Sequence, residues 1–254
     1  MDPPTSGSLL AYLDPSFLNE EAGRPLRILS EYLHPLDVLK RRGIHDTVVF
    51  FGSSRIGEDS PLSAYYREAR ELAAAVTRWS HEIDPSGARL VVCSGGGGGI
   101  MEAANRGARD AGGHTIGFNI GLPTEQRPNR FLDPELTFEF HYFFMRKLWF
   151  AHLARAVIVF PGGFGTLDEL FEFLTLRQTG KLAREICVVL YGTDYWKRVV
   201  NLEALDEAGM VDRGHLRLLH RADSVDEAMR CLRANVLPGA PDGGPQLAHS
   251  TTCA

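Results

Sequence analysis

AVIVFPGGFGTLDEL, residues 156 to 170, joins an apolar strand, a glycine turn and the first turn of a helix. Val157, Ile158 and Val159 are β-branched neighbours in an unbroken apolar run, the pattern of a strand buried on both faces. Gly162, Gly163 and Gly165 then let the backbone turn tightly, and TLDELFEFLTLRQTGK (166–181) has helical spacing up to Gly180. Glycines at a helix start let N–H groups approach an anion, and the helix dipole adds to the attraction. Asp168 and Glu169 follow at once, and a carboxylate aimed at a bound phosphate would repel it.

The same grammar repeats outward from this stretch. TVVFFGSS (47–54), RLVVCSGGGGG (89–99), HTIGFNI (114–120) and EICVVLYG (185–192) read as strands, and LRLLHRAD gives a last one. Helices are expected over 62–79, 100–113, 140–156, 196–209 and in SVDEAMRCLRANV. Alternation of this kind predicts an α/β fold: a doubly wound parallel sheet with helices on both faces, spanning 44–236. Ligands in such sheets lie beyond the carboxyl ends of the strands, so GSS, SGGGGG and PGGFGT should line one crevice. Residues 1–43 form an N-terminal helical extension in which Pro35 is expected to interrupt the helix. The Pro- and Gly-rich tail, 237–254, is expected to be disordered.

Composition narrows the function. A net charge of −5 gives no basic surplus for nucleic acid. MDPPTSGSLL lacks a basic region and a long apolar stretch, and no segment approaches about 18 apolar residues, so a cytoplasmic protein is expected. Cys93, Cys187, Cys231 and Cys253 include no CxxC pair, and three lie in apolar segments, which predicts buried free thiols. His114, His141 and His152 show no metal-ligand spacing, and no metal is expected.

Two common glycine chemistries fail on spacing. From Gly95, the third dinucleotide glycine would fall at Ile100, and from Gly163 at Asp168. Gly180–Lys181 is the sole Gly-Lys pair and is followed by Leu182, so there is no Walker A loop. What remains is either a tight strand–helix turn with no ligand or a nest in which Gly162, Gly163, Gly165 and the Thr166 hydroxyl hold a single phosphate. On a helix, Asp168 and Glu169 point about 100° apart. One can face solvent; the other can lie along the crevice, near a sugar carried by the phosphate, where a carboxylate stabilises an oxocarbenium-like transition state or activates water. In FFMRKLWFAHL, Arg146 could hold a phosphate or orient such a carboxylate.

PGGFGTLDE fits the PGGxGTxxE motif of the Lonely Guy family, the cytokinin riboside 5′-monophosphate phosphoribohydrolases, often mislabelled lysine decarboxylases. MRK (145–147) matches that family's Arg-Lys pair, and FFGSS (50–54) and SGGGGGIMEAANRGARDAGG (94–113) resemble its first two loops. FNIGLPTEQRPNRF and FHYFFMRK look more like its larger bacterial type. The resemblance implies a Rossmann-like fold and hydrolysis of a nucleoside 5′-monophosphate (AMP or a cytokinin riboside monophosphate) to free base and ribose 5-phosphate, with no cofactor, in a homodimer or larger homo-oligomer. By motif position it implies Glu169 and Arg146 as catalytic, and Gly162, Gly163, Gly165 and Thr166 on the 5′-phosphate. Ser53, Ser54, Gly96, Gly97, Met101, Met145 and Lys147 would contact the nucleotide. Decarboxylation would need a Schiff-base lysine, and neither Lys147 nor Lys181 has that context. The rival is a non-catalytic nucleotide or molybdenum-cofactor carrier of the same fold, which has no need of an Arg–Glu pair.

Overall fold

The computed structural model describes residues 10–121, 127–181, 185–216 and 219–236. The expected tail lies outside them. Seven parallel strands form one sheet: β1 Thr47–Phe51, β2 Val91–Ser94, β3 Thr115–Ile120, β4 Thr137–Phe140, β5 Ala154–Val159, β6 Cys187–Tyr191 and β7 Leu219–Ala222. Their order is β4-β3-β2-β1-β5-β6-β7. The helices are α1 Pro15–Asn19, α2 Arg24–Arg41, α3 Ser63–Ile83, α4 Ile100–Asp110, α5 Phe143–Leu153, α6 Phe164–Gln178, α7 Thr193–Val199, α8 Glu203–Glu207, α9 Arg213–Leu216 and α10 Val225–Asn235. No helix among the described residues is long and apolar enough to cross a membrane.

Unbroken apolar strands follow from burial on both faces. Val49 and Phe51 of β1 point into one core with Val157, Val159, Val188 and Leu190; Val48 and Phe50 point into the other with Ile158 and Val189. The first core is covered by α2, α5, α6 and α7, the second by α3, α4 and α10. Chain order reverses between β1 and β5, the position at which sheets of this kind bind ligands, in a crevice beyond the strand ends.

Several expectations are corrected. Pro35 does not interrupt α2, which runs through it without a break. Proline removes the N–H that would bond the Glu31 carbonyl, and the Trp149 indole replaces it, donating to that oxygen at 3.0 Å. An interior proline costs about 3 kcal/mol; the indole bond offsets roughly 1 kcal/mol, and burying Leu39 one turn on contributes about 1.5–3 kcal/mol more. Thr137–Phe140 is an unforeseen edge strand, so the helix expected from residue 140 starts at Phe143. The segment 196–209 is two helices, α7 and α8, because the chain extends at Val200. Cys93 and Cys187 are buried free thiols, Cys231 is only half-buried, and Cys253 lies outside the described residues.

Candidate active site

The loops after β1 and β5 are stitched together across the reversal point. Phe160 N–H donates to the Phe51 carbonyl at 2.9 Å and Ser53 N–H to the Pro161 carbonyl at 3.0 Å. The Ser53 carbonyl in turn accepts from Ile100 N–H at 3.1 Å, tying in the start of α4. Gly99 must be glycine here: its φ is +65°, and a Cβ would collide with the Ser53 carbonyl oxygen. The loop after β2 is held from below. Asn129 Nδ2 donates to the carbonyls of Gly96 (3.1 Å) and Gly97 (3.0 Å) and to Asn105 Oδ1 (2.8 Å). Ser94 Oγ donates to the same Asn105 oxygen at 2.8 Å and accepts the Gly96 N–H at 3.0 Å. Much of this glycine run therefore serves close packing, and Asn129 is a support that no sequence spacing revealed.

Helix α6 begins at Phe164, two residues before the expected start at Thr166. Gly163 is its N-cap and offers no side-chain acceptor. The first helical bond of this turn runs from Leu167 N–H to the Gly163 carbonyl at 3.0 Å, so the N–H groups of Phe164, Gly165 and Thr166 have no acceptor within the helix. Thr166 is buried, its hydroxyl packed over Gly162, where a Cβ would collide with it. The turn is fixed from α7: Tyr195 OH donates to the Gly162 carbonyl at 2.7 Å, and the Trp196 indole to the Val159 carbonyl at 3.1 Å. The result is a row of N–H groups without helical acceptors at a positive helix end.

Arg146 and Glu169 meet where α5 approaches α6. Arg146 Nη2 donates to Glu169 Oε1 at 2.6 Å, and the side chains are 13% and 12% exposed. The guanidinium lies between the rings of Phe143 (5.8 Å) and Phe150 (5.6 Å), and its buried Nε has no hydrogen-bond partner. Burial pushes the Glu169 carboxyl up to about 7, against the lowering effect of Arg146 and with a further push from Asp168. Asp168 takes a separate path: Lys147 Nζ binds it at 2.7 Å and Glu172 at 3.1 Å. At about 1.5 Å rise per residue, Glu169 stands roughly 5 Å along the helix from Thr166.

The other candidate residues divide by location. Ser53 Oγ accepts the Arg55 N–H at 3.1 Å, and Ser54 is exposed beside it. Met101 abuts Gly95, where a Cβ would come within 2.8 Å of its sulfur. Met145 packs inside the first core, and Lys147 is occupied by its two carboxylates. Among the described residues the one group with metal-ligand proximity, Cys187, His220 and Cys231, stands at the start of β6, away from the crevice.

The sequence and the fold both resemble those of known proteins. The sequence pattern of a family described as "Possible lysine decarboxylase" matches residues 101–232. A probable cytokinin riboside 5′-monophosphate phosphoribohydrolase of Oryza sativa subsp. japonica is 27% identical over 191 residues, 74% of this chain and 76% of that one. A cytokinin riboside 5′-monophosphate phosphoribohydrolase of Arabidopsis thaliana is 31% identical over 134 residues, covering 52% and 55%. Among solved structures, the molybdenum cofactor binding protein of Rippkaea orientalis superposes with a TM-score of 0.52 at 19% identity, covering 74% of this chain and 96% of that one. A structural-genomics X-ray structure gives 0.52 at 24%, covering 74% and 99%. At these identities the superpositions speak for the fold alone.

Proposed function

The chain belongs to the Lonely Guy family, the family described as "Possible lysine decarboxylase", and on that premise we propose that it hydrolyses the N-glycosidic bond of a nucleoside 5′-monophosphate. The products are the free base and ribose 5-phosphate. The observation that carries this reading is the 2.6 Å pairing of Arg146 with a mostly buried Glu169, just beyond a helix start that has no side-chain cap.

In this reading the 5′-phosphate sits on the N–H groups of Phe164, Gly165 and Thr166, with the Thr166 hydroxyl completing the cradle. The ribose then extends along α6 toward Glu169. As the C–N bond breaks, positive charge develops on the ribose, and the Glu169 carboxylate stabilises it and accepts a proton from the attacking water. Arg146, wedged between two rings, holds that carboxylate in one orientation. The water oxygen joins the anomeric carbon, the base leaves with the bonding pair, and the proton taken up by Glu169 passes to the base and restores the carboxylate. Lysine decarboxylation has no support in this site, since Lys147 is engaged by Asp168 and Glu172.

A homo-oligomer belongs to the same reading. Phe143, Phe144 and Phe164 are 53%, 51% and 93% exposed beside the site, apolar area that a second copy would cover. The test is to incubate the protein with AMP, with a cytokinin riboside monophosphate and with adenosine, and to measure free base. Release from the monophosphates, with at least tenfold lower kcat/KM for adenosine, supports the proposal. Tight binding with no release would favour the carrier reading instead.

A further inference from the structure

Far from the crevice, three ligand-type side chains from three separate elements converge. Cys187 opens β6, His220 lies in β7 and Cys231 lies on α10. Parallel pairing of Val189 with His220 sets β7 beside β6. Cys187 belongs to the core under α10, and His220 shares a strand face with Ala222 of that core. Cys231 is one turn beyond Ala228 on the inner side of α10. Their ligand atoms all lie within 4.8 Å of one another.

The spacing is informative. The two sulfurs are 3.8 Å apart. A disulfide needs about 2.05 Å. A tetrahedral centre with bonds of about 2.3 Å to each sulfur has an edge of about 3.8 Å. The two thiols share a hydrogen bond at a separation that also suits two thiolates on one cation, so binding would need little movement of either sulfur. Asn235 Nδ2 sits 3.8 Å from the Cys231 sulfur while donating to the Cys231 carbonyl at 2.8 Å, a second layer that orients a ligand. Cys231 and His220 are half-buried, so a cation has a route in and a solvent molecule can fill a fourth position.

We propose that Cys187, His220 and Cys231 form a binding site for a soft divalent cation of the zinc class, which fastens α10 to the β6–β7 edge. The donor set, two thiolates and an imidazole, suits such an ion and not magnesium or calcium. Binding displaces the two thiol protons to solvent, and the neutral imidazole is the third ligand. The two thiolates cancel the cation's charge, so the nearby Arg177 faces a neutral centre.

The test uses the full chain, reduced and stripped of metal, in a Cys253→Ser background. Cobalt(II) is titrated in and the thiolate charge-transfer and tetrahedral d–d bands are followed, then zinc is added to displace it. One equivalent should bind, zinc should bleach the bands, and the melting temperature should rise with metal. Cys231→Ser, at a half-buried position that should fold, should lose the bands, and His220→Ala should weaken binding at least tenfold. Failure of the reduced protein to take up a stoichiometric equivalent would overturn the proposal, as would equal uptake by Cys231→Ser. So would air oxidation to a Cys187–Cys231 disulfide with no uptake by the reduced form.

Discussion

Glu31 holds Trp149 at one end and the start of α5 at the other. Its backbone carbonyl accepts the Trp149 indole at 3.0 Å, and its carboxylate accepts the N–H groups of His141 (2.8 Å) and Tyr142 (3.3 Å). Tyr142 is the N-cap of α5, and Arg146 lies in the first turns of that helix. The N-terminal helix α2 therefore positions the element that carries Arg146.

A double-mutant cycle tests this clamp. Trp149→Phe leaves the Glu31 carbonyl without a donor and should cost about 1–3 kcal/mol in denaturant unfolding. In a Pro35→Ala background the helix supplies its own N–H to that carbonyl, so the donor component of the loss should shrink. Equal cost in both backgrounds would mean that only the lost ring volume matters.

Gly165 separates stability from function. It lies inside α6, and a Cβ there meets nothing within 4 Å. Gly165→Ala should therefore stabilise the fold by about 0.5–1 kcal/mol. If the first turn holds the phosphate, the same methyl crowds it, and KM for AMP should rise about tenfold or more. Unchanged KM would move the phosphate elsewhere.

The raised Glu169 carboxyl predicts two pH effects of opposite sign. Ionised Glu169 is the active form, so kcat/KM should climb with pH along a limb centred near 7. For stability, a carboxyl shifted from 4.5 to about 7 keeps a proton in the folded state that the unfolded chain releases. Its contribution is fully present below about 4.5 and is lost as pH rises through about 7. Thermal melts from pH 4 to 8 should show this decline in the wild type and a flatter profile in Glu169→Gln.

How much of this was legible in the sequence depends on range. The strands with their glycine loops are local signals, and 156–170 alone announces a strand, a turn and a helix. Four-residue β4 was hidden because Phe138 and Phe140 run into an aromatic helix, and alternation over so few residues carries little information. The early start of α6 was missed because Gly163 caps it with no side-chain signature. The continuity of α2 through Pro35 depends on Trp149, more than a hundred residues away. Whether Arg146 serves phosphate or carboxylate could not be read from FFMRKLWFAHL; the fold sets it on Glu169. The Cys187–His220–Cys231 group has no motif because its members come from two strands and a helix.

The most direct test compares wild type with Glu169→Gln on AMP and on a cytokinin riboside monophosphate, measuring free base. The amide keeps the shape of the side chain and removes its charge. The prediction is base release by the wild type, a loss of at least roughly a hundredfold in kcat in the variant, and a dissociation constant for the monophosphate within a few-fold of wild type. Undiminished release by Glu169→Gln would contradict the assignment of Glu169, and no release by either protein would contradict the hydrolase itself.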